Sequence, residues 1–212
     1  MPLCDQRAPR IHYQLRGNRE GPALIMLRGL GRSMKYWSEE LLSLLEPSCL
    51  LLLIDNRGVG GSDVPRTPYS TRAMADDVAA VLDHARIARA DLFGMSLGGM
   101  IAQEFAIHHG GRLDRLVLGC TTAGGSSAEP VRFEAAWPAL RAQLGDRQRA
   151  NAAEARLILS QAYLDDHPEV LLRWDEVKRL DPTPRITMVL QIMAAVRHDA
   201  SRDLHRITAP TL

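Results

Sequence analysis

The period at which apolar and polar positions alternate changes along the chain, and each period predicts a different element. From Ile11 to Leu15 apolar and polar residues alternate, the pattern of a half-buried strand. The Gly17-Asn18 pair then marks a turn. Ala23 to Leu27 (ALIML) is a short continuous apolar run, as expected of a strand buried on both faces, and Gly29 and Gly31 end it. Trp37, Leu41, Leu42, Leu44 and Leu45 follow at helical spacing, and Pro47 stops that helix. Cys49 to Ile54 (CLLLLI) is a second buried strand, and Asp55 to Asp63 (DNRGVGGSD) is a glycine-rich loop.

Thr71 to Ala85 reads as an amphipathic helix, with Met74, Val78, Val81, Leu82 and Ala85 on one face and Asp76, Asp77 and Asp83 facing out. Asp91 to Phe93 is a short third strand broken by Gly94. Leu97 to His109 is the next helix, ended by Gly110 and Gly111. Arg115 to Cys120 is another buried strand, and Thr121 to Ser127 is a loop of small residues. Helices and buried strands thus alternate regularly, the signature of an α/β fold with a mainly parallel sheet flanked by helices. From Glu129 to Leu204 the alternation is lost. That segment is rich in Ala, Leu and Arg, with breaks at Pro138, Gly145, Pro168 and the Pro182/Pro184 pair. It reads as a helical cap inserted into the fold. The pattern ITAPTL from Ile207 looks like the approach to a new strand. The expected organisation is a core over residues 1–128, a cap over 129–204, and the start of a further core strand over 205–212.

Composition narrows the class. The 212 residues are 46% apolar, enough for a sizeable core, and 26 basic side chains nearly cancel 25 acidic ones. A net charge of +1 argues against a dedicated nucleic-acid binder. The basic residues are almost all Arg, with Lys35 and Lys178 as lysines. Cys4, Cys49 and Cys120 are widely spaced, with no metal-ligand spacing and no disulfide framework, which points to a reducing compartment. The start, MPLCDQRAPR, lacks a signal-peptide hydrophobic region, and no apolar run approaches the roughly 18–20 residues of a membrane span. A soluble cytoplasmic protein is expected, with no membrane partner.

The chemistry concentrates in the α/β part. Gly94-Met95-Ser96-Leu97-Gly98 fits G-x-S-x-G and lies between a strand (DLF) and a strong helix (GMIAQEFAI). A nucleophile on such a strand–turn–helix bend has strained backbone, and small residues two positions either side avoid clashes. The following helix aims N–H groups at the same spot. Ser96 is therefore the candidate nucleophile. The stretch Leu27-Arg28-Gly29-Leu30-Gly31 follows the first buried strand. A tetrahedral intermediate needs two N–H donors at its oxyanion, and the backbone N–H groups of Leu97 and Leu30 are the candidates. A nucleotide-binding reading of DNRGVGGSD fails on register, because there is no G-x-G-x-x-G and no Lys-Ser/Thr after the glycines. It reads instead as a structural loop whose Asp55 and Arg57 brace the site.

The order LRGLG, DNRGVGGSD, GMSLGG resembles the α/β-hydrolase fold superfamily, and within it the small esterases and 3-oxoadipate enol-lactonase-like hydrolases. LVLGCTT, the helical insertion and DLHRITAPTL fit the same pattern, so the resemblance covers almost the whole chain. It implies a hydrolase of small carboxylic esters or lactones with no metal and no organic cofactor. The insertion would be a lid over the site. A Ser rather than an Asp at the bend argues against haloalkane dehalogenase and epoxide hydrolase chemistry.

The chain departs from that family twice. Where the family usually has His, this chain has Arg28, either a partner for a substrate carboxylate or a partly buried guanidinium hydrogen-bonded to neighbouring loops. The family's triad also runs Ser, acid, His, and both partners belong after the strand that APTL begins. His108 stands ~18 Å along the helix from Ser96. His12, His84, His109, His167, His198 and His205 read as structural or surface residues. The acid and base are therefore expected beyond Leu212, in a longer protein. Without those last strands LVLGC would be an exposed apolar edge unless something covered it. In the insertion Trp137, Trp174, Met188 and Met193 are either pocket lining or lid core, with Trp137 the candidate substrate contact. The rival reading is a catalytically inactive α/β-hydrolase-like domain that binds or regulates.

Overall fold

The computed structural model describes residues 3–4, 9–125, 155–156 and 159–212. The chain divides into two compact units, Met1–Ala128 with Thr183–Leu212, and Glu129–Pro182. Residues 183–204, expected as part of the cap, thus group with the core unit.

The first unit is built on a sheet of strands β1 (Leu3–Cys4), β2 (Ile11–Gly17), β3 (Ala23–Leu27), β4 (Leu50–Ile54), β5 (Ala90–Met95) and β6 (Leu113–Gly119). Their order across the sheet is β1-β2-β4-β3-β5-β6. β4, β3, β5 and β6 run parallel, and β2 and β1 add an antiparallel edge. Three helices connect them: α1 (Glu39–Leu45), α2 (Thr71–Ala85) and α3 (Leu97–His109). This is a mainly parallel α/β sheet, as the alternation of elements predicts.

Local chemistry sets the helix ends. Ser70 caps α2 by accepting a hydrogen bond from the Ala73 N–H at 3.0 Å, and Ser38 caps α1 through the Leu41 N–H at 3.2 Å. Arg86 ends α2 in the left-handed region, at φ 56°.

Period-two alternation along each strand divides the core between the two faces of the sheet. Ile25, Leu27, Leu52, Ile54 and Leu92 pack with Val78, Leu82, Ile101 and Phe105 of α2 and α3. Met26, Leu51 and Leu53 pack with Met34, Trp37 and Leu42 around α1. Helices therefore cover both faces, which is why the central strands read as unbroken apolar runs.

The outer side of β6 is met by the chain itself. Leu116 N–H donates to the Pro210 carbonyl at 2.9 Å, and Leu118 N–H to the Leu212 carbonyl at 2.8 Å. The ITAPTL segment thus begins a parallel pairing beside β6, bridging Thr211 to Leu116, and covers part of the edge that LVLGC would present.

Beyond β6 lie α4 (Gln161–Asp166) and α5 (Glu169–Leu180) in the second unit, and α6 (Arg185–Val196) in the first. No described helix is long and apolar enough to cross a membrane.

Leu52 is fully buried in the centre of the sheet. Leu52→Ala should lower unfolding stability by about 3 kcal/mol through lost burial and a residual cavity. Urea denaturation measures this, and a loss below about 1 kcal/mol would contradict the packing described.

Candidate functional site

From β3 the chain moves to β4 on one side, then crosses back through α2 to β5 on the other. The carboxyl ends of β3 and β5 therefore flank a topological switch point, where α/β sheets characteristically open a crevice. The two loops singled out from the sequence, after Leu27 and after Met95, both emerge there.

Ser96 joins β5 to α3 at φ 54° and ψ −118°, a left-handed conformation unusual for a residue with a side chain. Its main chain is held on both sides. The Ser96 N–H donates to the Gly119 carbonyl at 2.8 Å, and its own carbonyl accepts from Gly99 N–H, Met100 N–H and the Thr121 hydroxyl. The Ser96 side chain makes no capping bond to the helix it begins, and the residue is exposed. Close packing explains the flanking glycines. A Cβ at Gly94 would lie 2.4 Å from the Gly98 carbonyl oxygen, and one at Gly98 would lie 2.5 Å from the Leu27 oxygen. Met95 turns the other way, with its sulfur 3.4 Å from Arg28 Nη1.

The loop after β3 runs against this bend. A Cβ at Gly29 would come within 3.1 Å of Ser96 Cβ and 3.5 Å of its Oγ, so a side chain there would crowd the serine. Arg32 N–H donates to the Gly29 carbonyl at 3.2 Å, closing a tight turn around Leu30. Leu97 is buried in the first turn of α3, where backbone N–H groups have no intrahelical acceptor. The Arg28 guanidinium stacks over the Trp37 ring at 4.6 Å, between that ring and Met95. Its carbonyl accepts a hydrogen bond from Asn56 Nδ2 at 3.1 Å.

The glycine-rich loop is fixed by two buried carboxylates. Asp55 accepts from Met34 N–H at 2.7 Å and Gly61 N–H at 3.0 Å, and contacts His12 Nδ1 at 2.6 Å. Arg57 makes a bidentate pair with Asp77 at 2.7 and 2.8 Å and donates again to the Ala73 carbonyl. Asp77 corrects the expectation that it faces outward: it is 4% exposed. A buried carboxylate needs such a partner, because desolvating it unpaired costs several kcal/mol. Tyr69 lies beside the pair, 5.6 Å from the guanidinium, and burial pushes its phenol pKa up.

The histidines are engaged elsewhere. His12 contacts Asp55, His84 Tyr13, His108 Glu104, His109 Asp76 and His167 Glu169. His198 is buried between the Thr71 hydroxyl at 3.0 Å and the Gln103 amide at 3.4 Å, with Glu104 beside it at 3.4 Å. His205 is exposed in the short turn Leu204–Arg206. Among the described residues no side chain hydrogen-bonds to the Ser96 hydroxyl, and no cluster of His, Cys, Asp and Glu is placed to hold a metal ion. Trp137 lies outside the described residues. Trp174 belongs to α5, Met188 packs against Gly31, and Met193 is partly exposed on α6.

Sequence reasoning missed three residues around Gly31. Thr183 Oγ1 donates to the Gly31 carbonyl at 2.7 Å, and Gln191 Oε1 accepts from the Gly31 N–H at 2.8 Å. Thr187 Oγ1 donates to the Gly58 carbonyl at 3.0 Å. A faint signal exists: Thr187 and Gln191 are polar residues four apart within the otherwise apolar run ITMVLQIMAAV, on the same face as Leu190 and Ala194.

Residues 22–192 match the family model described as alpha/beta hydrolase fold. The chain is 31% identical over 165 residues to 3-oxoadipate enol-lactonase 2 of Acinetobacter baylyi, a match covering 76% of this chain and 58% of that protein. It therefore spans well under two thirds of that relative's length. A solved hydrolase from Pseudomonas aeruginosa superposes with a TM-score of 0.79 at 27% identity, covering 96% of this chain and 74% of the other. The enol-lactonase of Burkholderia xenovorans shares the fold with a TM-score of 0.84 at 24% identity, over 99% of this chain and 79% of the other.

Asp77→Ala should cost about 3–5 kcal/mol by leaving the Arg57 guanidinium buried and unpaired. The double change Arg57→Met with Asp77→Leu should cost clearly less, because no buried charge remains. Urea titrations of the single and double variants compare the two, and an equal or larger loss for the double would refute the pairing argument.

Proposed function

Because the chain belongs to the α/β-hydrolase fold family, we propose that it is a serine hydrolase of small carboxylic esters or lactones, working through an acyl-enzyme on Ser96. The observation that carries this reading is the bend itself: an exposed serine at φ 54° whose hydroxyl is left out of helix capping. Holding a residue with a side chain there costs on the order of 1–3 kcal/mol, and such strain concentrates at functional sites.

In the proposed reaction the Ser96 oxygen attacks the carbonyl carbon. The negative charge that develops on the carbonyl oxygen is met by the N–H groups of Leu97 and Leu30, at the start of α3 and in the turn after β3. A histidine accepts the serine proton and returns it to the leaving alkoxide, and a carboxylate orients that histidine. Collapse of the intermediate breaks the ester bond and leaves an acyl group on Ser96. Water then attacks the acyl carbon and restores the serine. In a lactone the leaving oxygen remains part of the acyl chain, and that step releases the ring-opened acid as one molecule. The histidine and acid are proposed to come from polypeptide beyond Leu212, since His12, His84, His108, His109, His167 and His198 contact other side chains and His205 lies exposed in a short turn before Ile207. Of the two readings of Arg28, its stacking over Trp37 beside Met95 supports a guanidinium held by neighbouring groups rather than a substrate contact. No metal or organic cofactor is called for by this chemistry.

The engagement of the histidines also favours a second reading, an inactive binding or regulatory domain, and one experiment separates the two. The full-length protein is incubated with a fluorophosphonate, the adduct is mapped, and p-nitrophenyl acetate turnover is measured. Labelling is expected on Ser96, and Ser96→Ala should lower turnover at least about a thousandfold. Labelling at another serine, or turnover that survives Ser96→Ala, would end the proposal. A protein that neither labels nor turns over would favour the binding domain.

A further inference from the structure

The turn that carries Leu30 is tied to the rest of the unit through Gly31, and one buried side chain makes the decisive bond. Gln191, on α6, is 1% exposed. Its Oε1 accepts from the Gly31 N–H at 2.8 Å, and its Nε2 donates to the Arg57 carbonyl at 3.1 Å. The two partners fix which way the amide points, because an N–H needs the oxygen and a carbonyl needs the NH₂. A single buried amide thus bridges the turn after β3 and the braced loop after β4. Thr183, just before α6, takes the Gly31 carbonyl and Thr187 the Gly58 carbonyl, so α6 and the residues that lead into it grip both loops by their main chains.

This grip has a geometric consequence for the neighbouring peptide. With its N–H committed to Gln191, Gly31 is withdrawn as an oxyanion donor, and Leu30 is left as the donor of that turn. The Leu30–Gly31 peptide is planar, so fixing the Gly31 N–H also fixes the Leu30 carbonyl. The Leu30 N–H lies in the preceding peptide, whose Gly29 carbonyl accepts from Arg32 N–H at 3.2 Å, so the two peptides that flank Leu30 are both held. At its other end the turn is held by the Asn56 bond to the Arg28 carbonyl and by the close approach of Gly29 to Ser96. Gly31 itself has φ 63°, and Met188 packs where a Cβ would be, so the turn has little room to adjust. Oxyanion donors act only when they are preorganised to a fraction of an ångström.

We infer that Gln191 is a positioning residue for the oxyanion site, holding the turn around Leu30 at its Gly31 side and anchoring it to the loop braced by Arg57. The inference rests on the reading of Ser96 as nucleophile and of Leu30 as an oxyanion donor. It places the control of transition-state stabilisation in α6, outside the residues that touch substrate.

Three variants of the full-length protein test it, with p-nitrophenyl acetate kinetics, the rate of Ser96 phosphonylation, and urea stability as readouts. Gln191→Met keeps the volume and removes both bonds. It should lower kcat about tenfold to a hundredfold and slow phosphonylation in proportion, with KM within about threefold, because the lost interaction acts in the transition state. Gln191→Glu keeps the acceptor for Gly31 N–H but presents an anionic oxygen to the Arg57 carbonyl. Protonation restores a donor there, so its kcat relative to wild type should rise as pH falls. A role in stability alone would not produce that profile. Thr183→Val, at a partly exposed position, removes the other Gly31 bond and should lower kcat about threefold to tenfold. It carries the test should Gln191→Met fail to fold.

Wild-type kcat in folded Gln191→Met, a flat relative pH profile in Gln191→Glu, or an unchanged kcat in Thr183→Val would each overturn the inference. Turnover that survives Ser96→Ala would instead show that the underlying reading is wrong.

Discussion

The backbone of Ser96 is the constraint on which the rest of this unit is arranged. A left-handed turn at a residue with a side chain is disfavoured, and it persists only where neighbouring groups over-determine it. Here the strand β6 takes the Ser96 N–H, and Thr121 with the first turn of α3 takes its carbonyl. The cost is then distributed as missing side chains. Gly94 and Gly98 allow β5, α3 and the end of β3 to approach within distances that no Cβ permits, and Gly29 brings bare backbone against the serine. A sheet with the same strand order but ordinary residues at these positions would have to separate β3 from α3, and the two loops at the switch point would no longer meet.

A second layer of bonds keeps the loops from relaxing that geometry. Asp55 gathers Met34, Gly61 and His12 onto one buried carboxylate, and Arg57 with Asp77 ties the same loop to α2. Buried charges of this kind add little net stability, but removing one partner is costly because the other is left buried and unpaired. Loops carrying such interlocked groups cannot drift independently. The turn after β3 therefore inherits its position from β4, α2 and α6 together, through Asn56, Arg57 and Gln191.

What was legible in the sequence follows from how local each cause is. The ends of α2 and α3, from Thr71 to Ala85 and Leu97 to His109, coincide with the elements because caps and glycine stops act within a few residues. The serine bend was legible for the same reason: its glycines, strand and helix all lie within one short stretch. Asp77 was less so: it carries a charge like Asp76 and Asp83 but lies three and four residues from Met74 and Val81, at the edge of the apolar face, and its partner sits 20 positions earlier in a loop. Gln191 and His198 were less legible still. Gln191 bonds to main-chain groups 160 and 134 positions away. The partners of His198 on α2 and α3 lie 127 and 95 positions away. The pattern of apolar residues records that those positions are buried, but not what polar group they meet.

The departure at Arg28 becomes intelligible in these terms. The family resemblance anticipates a histidine there, and an arginine would be a serious change if the side chain took part in the chemistry. In this structure the main chain of the position is fixed: the Arg28 carbonyl is held by Asn56 and lies against Gly98. The guanidinium is accommodated separately, over Trp37 and beside Met95, by groups that suit a flat, weakly hydrated cation. Trp37 and Met95 belong with the α1 side of the sheet, away from the helices that frame the serine. The side chain at this position can therefore change its chemical character without moving the peptide that follows it. The direction of that peptide depends instead on Gly29, Gly31 and the bonds that hold them.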